Sequence, residues 1–123
     1  MTTARQRTAT VEVTRGGLNN DYIWLGARLA SSAFFPADAT GGNARSDGEG
    51  AMLTVHFEGL RPVQTDIAGG NKHFLRDRTA QAKFLRRQRL RPGDRIVIER
   101  LGTHEYRFRL PLKEQNLPAR PTT

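Results

Sequence analysis

The chain has 123 residues, a length that favours one domain and is large enough to bury a hydrophobic core. It contains no cysteine, which excludes a disulfide framework and thiol chemistry, and no apolar run approaches the roughly 18–20 residues needed to span a bilayer. The formal net charge is +8 and the isoelectric point is near 11.2, so an anionic partner is expected, with nucleic acid ahead of an acidic surface.

The polar ends of the chain predict one folded region between two tails. Residues 1–8 are predicted to be a flexible N-terminus without the apolar stretch of a signal peptide. Residues 9–111 are predicted to form the domain, and residues 112–123, which are polar and carry two prolines, to be a flexible C-terminal tail. The absence of cysteine and of a signal peptide favours a cytoplasmic location.

Short alternating and glycine-rich segments make up the first part of the domain. Residues 9–14, ATVEVT, alternate apolar and polar side chains and predict a first strand. The next segment, Arg15 to Tyr22, contains paired glycines and asparagines that permit tight turns, and it predicts a loop. Residues 22–25, YIWL, predict a short strand, and residues 27–35, ARLASSAFF, predict a helix that Pro36 ends or bends.

The segment DATGGNARSDGEG, residues 38–50, is the least regular part of the sequence. It is polar, rich in glycine and without periodicity, which predicts an exposed loop. Asp47 and Glu49 make its end mildly acidic, so we expect no phosphate contact there.

Two hairpins are predicted in the second part of the domain. Residues 51–59, AMLTVHFEG, place Leu53, Val55 and Phe57 on one face of a strand, and residues 63–67 alternate again after a short break. These two segments are therefore predicted to pair. Residues 95–100 and 105–110 alternate around a tight connection and predict the final hairpin.

A basic amphipathic helix is predicted between the hairpins, over residues 80–88. Either Asp77 or Thr79 can cap its N-terminus. The helical period divides its side chains into an apolar and a basic face. The inward residues are Ala80, Phe84 and Leu85, and the outward residues are Lys83, Arg86 and Arg87.

Together these patterns predict about seven short strands and two short helices. The helices lie between strands rather than after each strand, which argues against an alternating βαβ sheet. The prediction is a mainly β, mostly antiparallel, barrel-like fold whose helices close its ends.

The side chains that usually carry catalysis or bind metal are not grouped in this sequence. His56, His73 and His104 are far apart and have no cysteine near them, so no zinc spacing exists. The GxSxG and Walker motifs are absent. Asp66 and Asp94 are expected to serve turns and hydrogen bonds. We therefore expect a binding module rather than an enzyme, with no cofactor and no metal.

Positive charge is concentrated between Lys72 and Arg100. This segment holds ten of the 20 basic residues and three acids, a net charge of +7. Arginine can bond guanine through two atoms, asparagine can do the same for adenine, aspartate can accept from cytosine N4, and basic helix faces suit phosphates. The candidate base contacts are Arg15, Asn19, Asn20, Asp21, Tyr22, Asn71, Lys72, Arg76 and Arg78, and the candidate phosphate contacts are Lys83, Arg86, Arg87 and Arg89.

Each of these features also has a purely structural interpretation. A loop rich in asparagine and glycine is usually only a turn, and Arg95, Arg100 and Arg109 alternate with apolar residues as on the solvent face of a strand. The functional interpretation is favoured because two such loops and a basic helix occur together, with no competing active site.

The ordered segments LTVHFEG, FLRDRTAQAKFLRRQRL and RPGDRIVIER resemble the B3-type DNA-binding pseudobarrel, and they resemble more closely the B3-like recognition domains of bacterial restriction endonucleases. The resemblance covers about Val11 to Leu110. The positions that match the family pattern are Phe84, Leu90, Gly93, Asp94, Ile96 and Ile98.

This resemblance implies a seven-stranded open pseudobarrel with two short helices that grips the major groove of double-stranded DNA with two arms. By position, the first arm is Arg15 to Tyr22 and the second arm is Thr65 to Arg78. Such a domain would be the recognition module of a bacterial restriction-modification-type system and would act with a separate nuclease or methyltransferase chain. Segment 40–50 has no role in the family pattern, and the oligomeric state stays open.

Three alternatives remain at this point. The chain could itself be a nuclease or nuclease subunit that acts on DNA. It could be an RNA-binding β-barrel, which would stack bases on exposed aromatic residues such as Trp24 and Tyr106. It could also be a protein-interaction domain with an incidental basic face.

Overall fold

Short strands make up most of the regular secondary structure in the described part of the chain. The computed structural model describes residues 7–30, 32–42, 44, 46, 48–70 and 72–112. The strands are β1 (Thr8–Glu12), β2 (Leu53–Phe57), β3 (Val63–Thr65), β4 (Ile67–Ala68), β5 (Phe74–Leu75), β6 (Arg95–Gly102) and β7 (Glu105–Arg109). The helices are α1 (Arg15–Asn20), α2 (Ala27–Ala30) and α3 (Arg78–Arg87), with a 3-10 turn at Ala37–Ala39.

Five strands form one open sheet in the order β1-β6-β7-β2-β3, and β4 and β5 form a separate hairpin. The predicted pairings of β2 with β3 and of β6 with β7 are both confirmed and antiparallel. The exception to the antiparallel pattern is β2 against β7, which run parallel. The described part of the chain is therefore sheet-rich with short helices, as expected. None of its helices has the length and apolarity to cross a membrane.

Aromatic side chains join α3 to the sheet. Phe57 of β2 packs against Phe84 of α3 with ring centres 5.5 Å apart and against Phe108 of β7 at 5.0 Å. The prediction for this helix is confirmed: the Asp77 carboxylate accepts from the Thr79 N–H as an N-cap, and the three predicted inward residues are buried. This packing fixes which face of α3 meets solvent.

The first arm is a helix, and the predicted loop is wrong. Thr14 caps α1 by accepting from Gly17 N–H, and Asp21 ends it in the left-handed conformation with φ 65°. Gly17 is required for close packing, because a Cβ there would collide with the carbonyl oxygen of Tyr22. Backbone bonds and caps thus override the low helix propensity of the paired glycines.

Two neighbouring predictions also need correction. YIWL is not a strand, although Ile23 and Leu25 are buried. The predicted helix of residues 27–35 is only the four-residue α2. Ser32 follows it and donates its hydroxyl to Leu29 O while accepting from Phe34 N–H, and such local bonds compete with helix continuation.

The glycine-rich segment 38–50 is not a simple exposed loop. Thr40 bridges Ile67 at the base of the second arm, and Gly69 N–H donates to Gly42 O at 3.0 Å. Gly69 must be glycine because a Cβ would strike the carbonyl oxygen of Gly41. The segment therefore anchors the second arm. Asp47, whose charge was noted above, lies outside the described residues.

Candidate nucleic-acid interface

A buried glutamine connects the two arms. Gln81 of α3 is 0% exposed, and its Oε1 accepts from Ile23 N–H at 2.8 Å directly after the first arm. Its Nε2 donates to Leu75 O at 2.9 Å and to Asp77 O at 2.6 Å within the second arm. One side chain thus satisfies backbone groups of both segments, which fixes their relative position.

An aromatic stack and a backbone bond strengthen this connection. The rings of Tyr22 and Phe74 lie 4.2 Å apart and within 11° of parallel. Leu25 N–H donates to His73 O at 2.9 Å. Tyr22 was expected to contact a base, but its ring has one face on Phe74. The arms therefore form one continuous surface instead of two independent loops.

Replacing Gln81 with leucine is expected to lower the free energy of unfolding by about 1–3 kcal/mol, because it leaves the Ile23 N–H and the Leu75 carbonyl buried without partners. Hydrogen exchange at the Ile23 amide should accelerate, and urea titration should show the lost stability. Gln88→Leu at the C-cap of the same helix is the matched control, because the Gln88 side chain makes only a long bond of 3.5 Å to Glu58 O. Unchanged Ile23 exchange in Gln81→Leu would show that this side chain does not hold the arms together.

A cleft of about 560 Å³ separates the C-terminal end of α1 from α3. We call it the α1–α3 cleft. It brings together the polar end of the first arm and the basic face of α3, which are about sixty positions apart in sequence. Its lining residues are Asn19, Asn20, Asp21, Arg78, Thr79, Ala82, Lys83 and Arg86.

Weak, exposed contacts span the cleft. Arg86 Nη2 lies 3.3 Å from Asp21 Oδ1, and the two side chains are 73% and 45% exposed. Arg78 Nη1 donates to Asn20 O at 3.3 Å. Surface pairs of this kind are worth only about 0–1 kcal/mol, so an incoming phosphate can replace Asp21 as the partner of Arg86 at little cost.

The end of α1 presents both hydrogen-bond donors and acceptors. The Asp21 carboxylate can accept from an exocyclic amine once Arg86 turns away. Asn20 Nδ2 donates to Gly16 O at 2.9 Å on the protein surface, so a bond to adenine through both amide atoms requires Asn20 to release that contact. Asn19 is exposed at the same end. These three side chains can distinguish bases by their donor and acceptor pattern.

No family model, curated protein or solved structure matches this chain. Its function is therefore inferred from the geometry of the site.

Several predicted site residues lie outside the α1–α3 cleft. Arg15 is exposed at the opposite end of α1, and Lys72 is half-buried in the second arm. Arg87 lies beside Gly59 in the turn between β2 and β3, and Arg89 is exposed after α3 with φ 54°. Asn71 lies outside the described residues.

Arg76 is not placed to contact a base, which corrects the expectation for this residue. Its Nε and Nη2 bond the two carboxylate oxygens of Asp66 at 2.7 and 3.0 Å, and Nη2 also donates to Gly42 O at 3.0 Å. The Arg76 side chain is 9% exposed and that of Asp66 is 1% exposed. Arg76 is therefore a support of the second arm, and Asp66 serves hydrogen bonds as predicted.

The Asp66 carboxylate is held in its charged form. Burial pushes the pKa of Asp66 upward, but the hydrogen bond from Arg76, the hydrogen bond from Gly50 N–H and the Arg76 charge outweigh burial, so the pKa lies below its ordinary value. The bond from Gly50 belongs to the glycine-rich segment, which explains why that segment packs against the second arm.

The structure also shows residues that sequence reasoning missed. Gln81 received no role in the sequence analysis, although a glutamine beside apolar helix residues is a signal for a buried hydrogen-bond partner. Arg78, Ala82 and Arg86 follow at intervals of four, which places them on one line of the helix and could have indicated the cleft. Tyr106 is fully buried and donates its hydroxyl to Phe34 O, so it cannot stack on a nucleic-acid base.

Proposed function

We propose that this protein binds double-stranded DNA in a sequence-specific manner through its two arms. The observation that supports this most strongly is the α1–α3 cleft, where the donors and acceptors of Asn19, Asn20 and Asp21 face the cations Arg78, Lys83 and Arg86. DNA recognition combines base-edge contacts with phosphate contacts, and this cleft has side chains for both tasks.

Different residues of this surface are proposed to contact the bases and the phosphates. The end of the first arm contacts base edges in the major groove, together with Arg78 and Lys72, while Arg15, Tyr22 and Asn71 extend this set. The cations of α3 hold the flanking phosphates. The phosphate contacts are Lys83, Arg86, Arg87 and Arg89. Arg76 supports the second arm and does not contact a base.

The open sheet, the short helices and the two connected arms support the further proposal of a B3-like pseudobarrel. On this proposal the chain is the recognition module of a bacterial restriction-modification-type system in the cytoplasm. It acts without a cofactor, and a nuclease or methyltransferase chain provides the catalysis.

Single-stranded RNA is the second candidate ligand, favoured by one observation. Trp24 is 45% exposed directly beside the first arm, although its neighbours Ile23 and Leu25 are buried. Exposed aromatic rings provide stacking platforms for unpaired bases. The duplex is the stronger proposal because charged and amide side chains, rather than aromatic rings, line the α1–α3 cleft.

Affinity for duplex DNA is expected to fall by about 100-fold or more between 50 and 200 mM salt, because four phosphate contacts are proposed. Fluorescence anisotropy of a labelled duplex at several salt concentrations measures this slope. An unlabelled single-stranded RNA of the same sequence is the competitor. A flat salt response would contradict phosphate contact, and stronger competition by RNA than by duplex would favour the second candidate.

A further inference from the structure

A second and larger cavity, of about 720 Å³, lies apart from the α1–α3 cleft and shares no lining residue with it. The segment around α2 forms one wall, with Ala30, Ala33, Phe35 and Pro36. The tip of the second arm contributes His73, and the end of β6 contributes Arg100. The cavity is thus mainly apolar and contains one permanent positive charge, and its volume is within the range of small-molecule sites.

Arg100 carries an unused hydrogen-bond donor. Its Nη1 is closed to solvent and has no hydrogen-bond partner within the described ranges. Two acids that are close to Arg100 in sequence have other partners: Glu99 pairs with Arg107 and Arg109, and Glu105 pairs with His56. A buried donor without a partner is unfavourable, so a ligand that supplies an acceptor removes that cost.

Among the described residues that line this cavity, none is acidic. An anionic ligand would therefore meet Arg100 without competition from a protein carboxylate. Ala33 is exposed and Pro36 is half-buried, and together they make an apolar surface that a purely inorganic anion would not use. The combination of a guanidinium with apolar walls selects a ligand that has both a charged and an apolar part.

We propose that this cavity binds a small organic acid, whose carboxylate bonds the Arg100 guanidinium and whose apolar body lies on Ala33 and Pro36. The guanidinium turns about its terminal torsions to present Nη1 to the carboxylate. His73 and the hydroxyls of Thr40 and Thr103 provide further polar groups in the lining. This site is independent of DNA binding, and its test contains no DNA.

Benzoate is the probe, followed by amide shifts in ¹H–¹⁵N NMR spectra of the full chain. We expect saturable shifts centred on Ala33, Gly70 and Thr103 at concentrations up to about 10 mM. Benzamide has the same body without the charge, and acetate has the charge without the body. Both should bind at least about tenfold more weakly than benzoate.

Two variants locate the site. Arg100→Gln should weaken benzoate binding about tenfold or more, whereas Arg107→Gln, on the exposed face of the adjacent strand, should not change it. Ala33→Trp fills the cavity from an exposed position and should abolish the shifts even if Arg100→Gln is poorly folded. Equal binding of benzamide, unchanged binding in Ala33→Trp, or shifts spread over the basic helix α3 would overturn the proposal.

Discussion

Replacing Arg76 with alanine is expected to lower the free energy of unfolding by about 3–5 kcal/mol. The change leaves the Asp66 carboxylate, 1% exposed, without its two-atom partner, and also removes the bond to Gly42 O. An unpaired charge in such an environment is among the costliest single defects in a protein. Urea unfolding followed by circular dichroism measures the loss.

The control for this prediction is Arg107→Ala. Arg107 also forms an arginine–carboxylate pair, with Glu99 at 3.0 Å, but its side chain is 47% exposed. Such a pair is worth about 0–1 kcal/mol, so this variant should remain close to the parent protein. The double variant Asp66→Leu with Arg76→Met should recover much of the lost stability, because it removes both buried charges. If Arg76→Ala and Arg107→Ala lowered the free energy of unfolding by similar amounts, the buried pair would be shown to stabilise the protein no more than the exposed pair.

The same pair predicts a dependence of stability on pH. The pKa of Asp66 is lower in the folded protein than its ordinary value of 3.8, so the folded state favours the charged form. The contribution is complete above that ordinary value and is lost as the pH falls through the lower folded value. Asp66→Asn should remove this part of the acid sensitivity, which unfolding titrations between neutral and strongly acidic pH can measure.

Neutralising the cations of the α1–α3 cleft is expected to have the largest effect on DNA affinity. The triple variant Arg78→Gln, Lys83→Gln and Arg86→Gln should weaken duplex binding roughly 100-fold or more at low salt, and reduce the salt slope by about two, because Lys83 and Arg86 are proposed phosphate contacts. Because these side chains are exposed, the fold should be retained. Anisotropy titrations over a salt series measure both quantities.

A triple variant with the same change of charge is the control. Arg91→Gln, Arg95→Gln and Arg107→Gln remove three exposed cations that do not line the cleft. If non-specific attraction to the net charge dominated, both triple variants would lose equal affinity. A loss confined to the first variant would locate the DNA on the cleft.

Sequence reasoning succeeded where the decisive interactions are local. The helical period around Phe84 and the alternation in β2 each extend over only a few positions, and both were predicted correctly, while Asp77 is one of the two caps that the sequence allowed. The same reasoning failed at Arg15 to Tyr22, because the composition of this arm suggested a turn while the Thr14 cap and the left-handed Asp21 permit a helix.

The errors in the site have a different cause. Arg76 bonds Asp66, which is ten positions away in sequence, and Gly42, which is thirty-four positions away. No local sequence pattern predicts either contact. The composition of the second arm does not indicate which of its cations face solvent and which one forms a buried ion pair. The same limit applies to Gln81, whose partners lie directly after the first arm and within the second arm.

The central claim is that the two connected arms distinguish one DNA sequence from another. Selection of bound duplexes from a randomised pool, followed by sequencing, tests it most directly. We predict enrichment of a short motif by the parent protein, with relaxed preference at one or two positions for Asn19→Ala and Asp21→Ala. A bound pool with the same sequence distribution as the input, at any salt concentration, would contradict the claim.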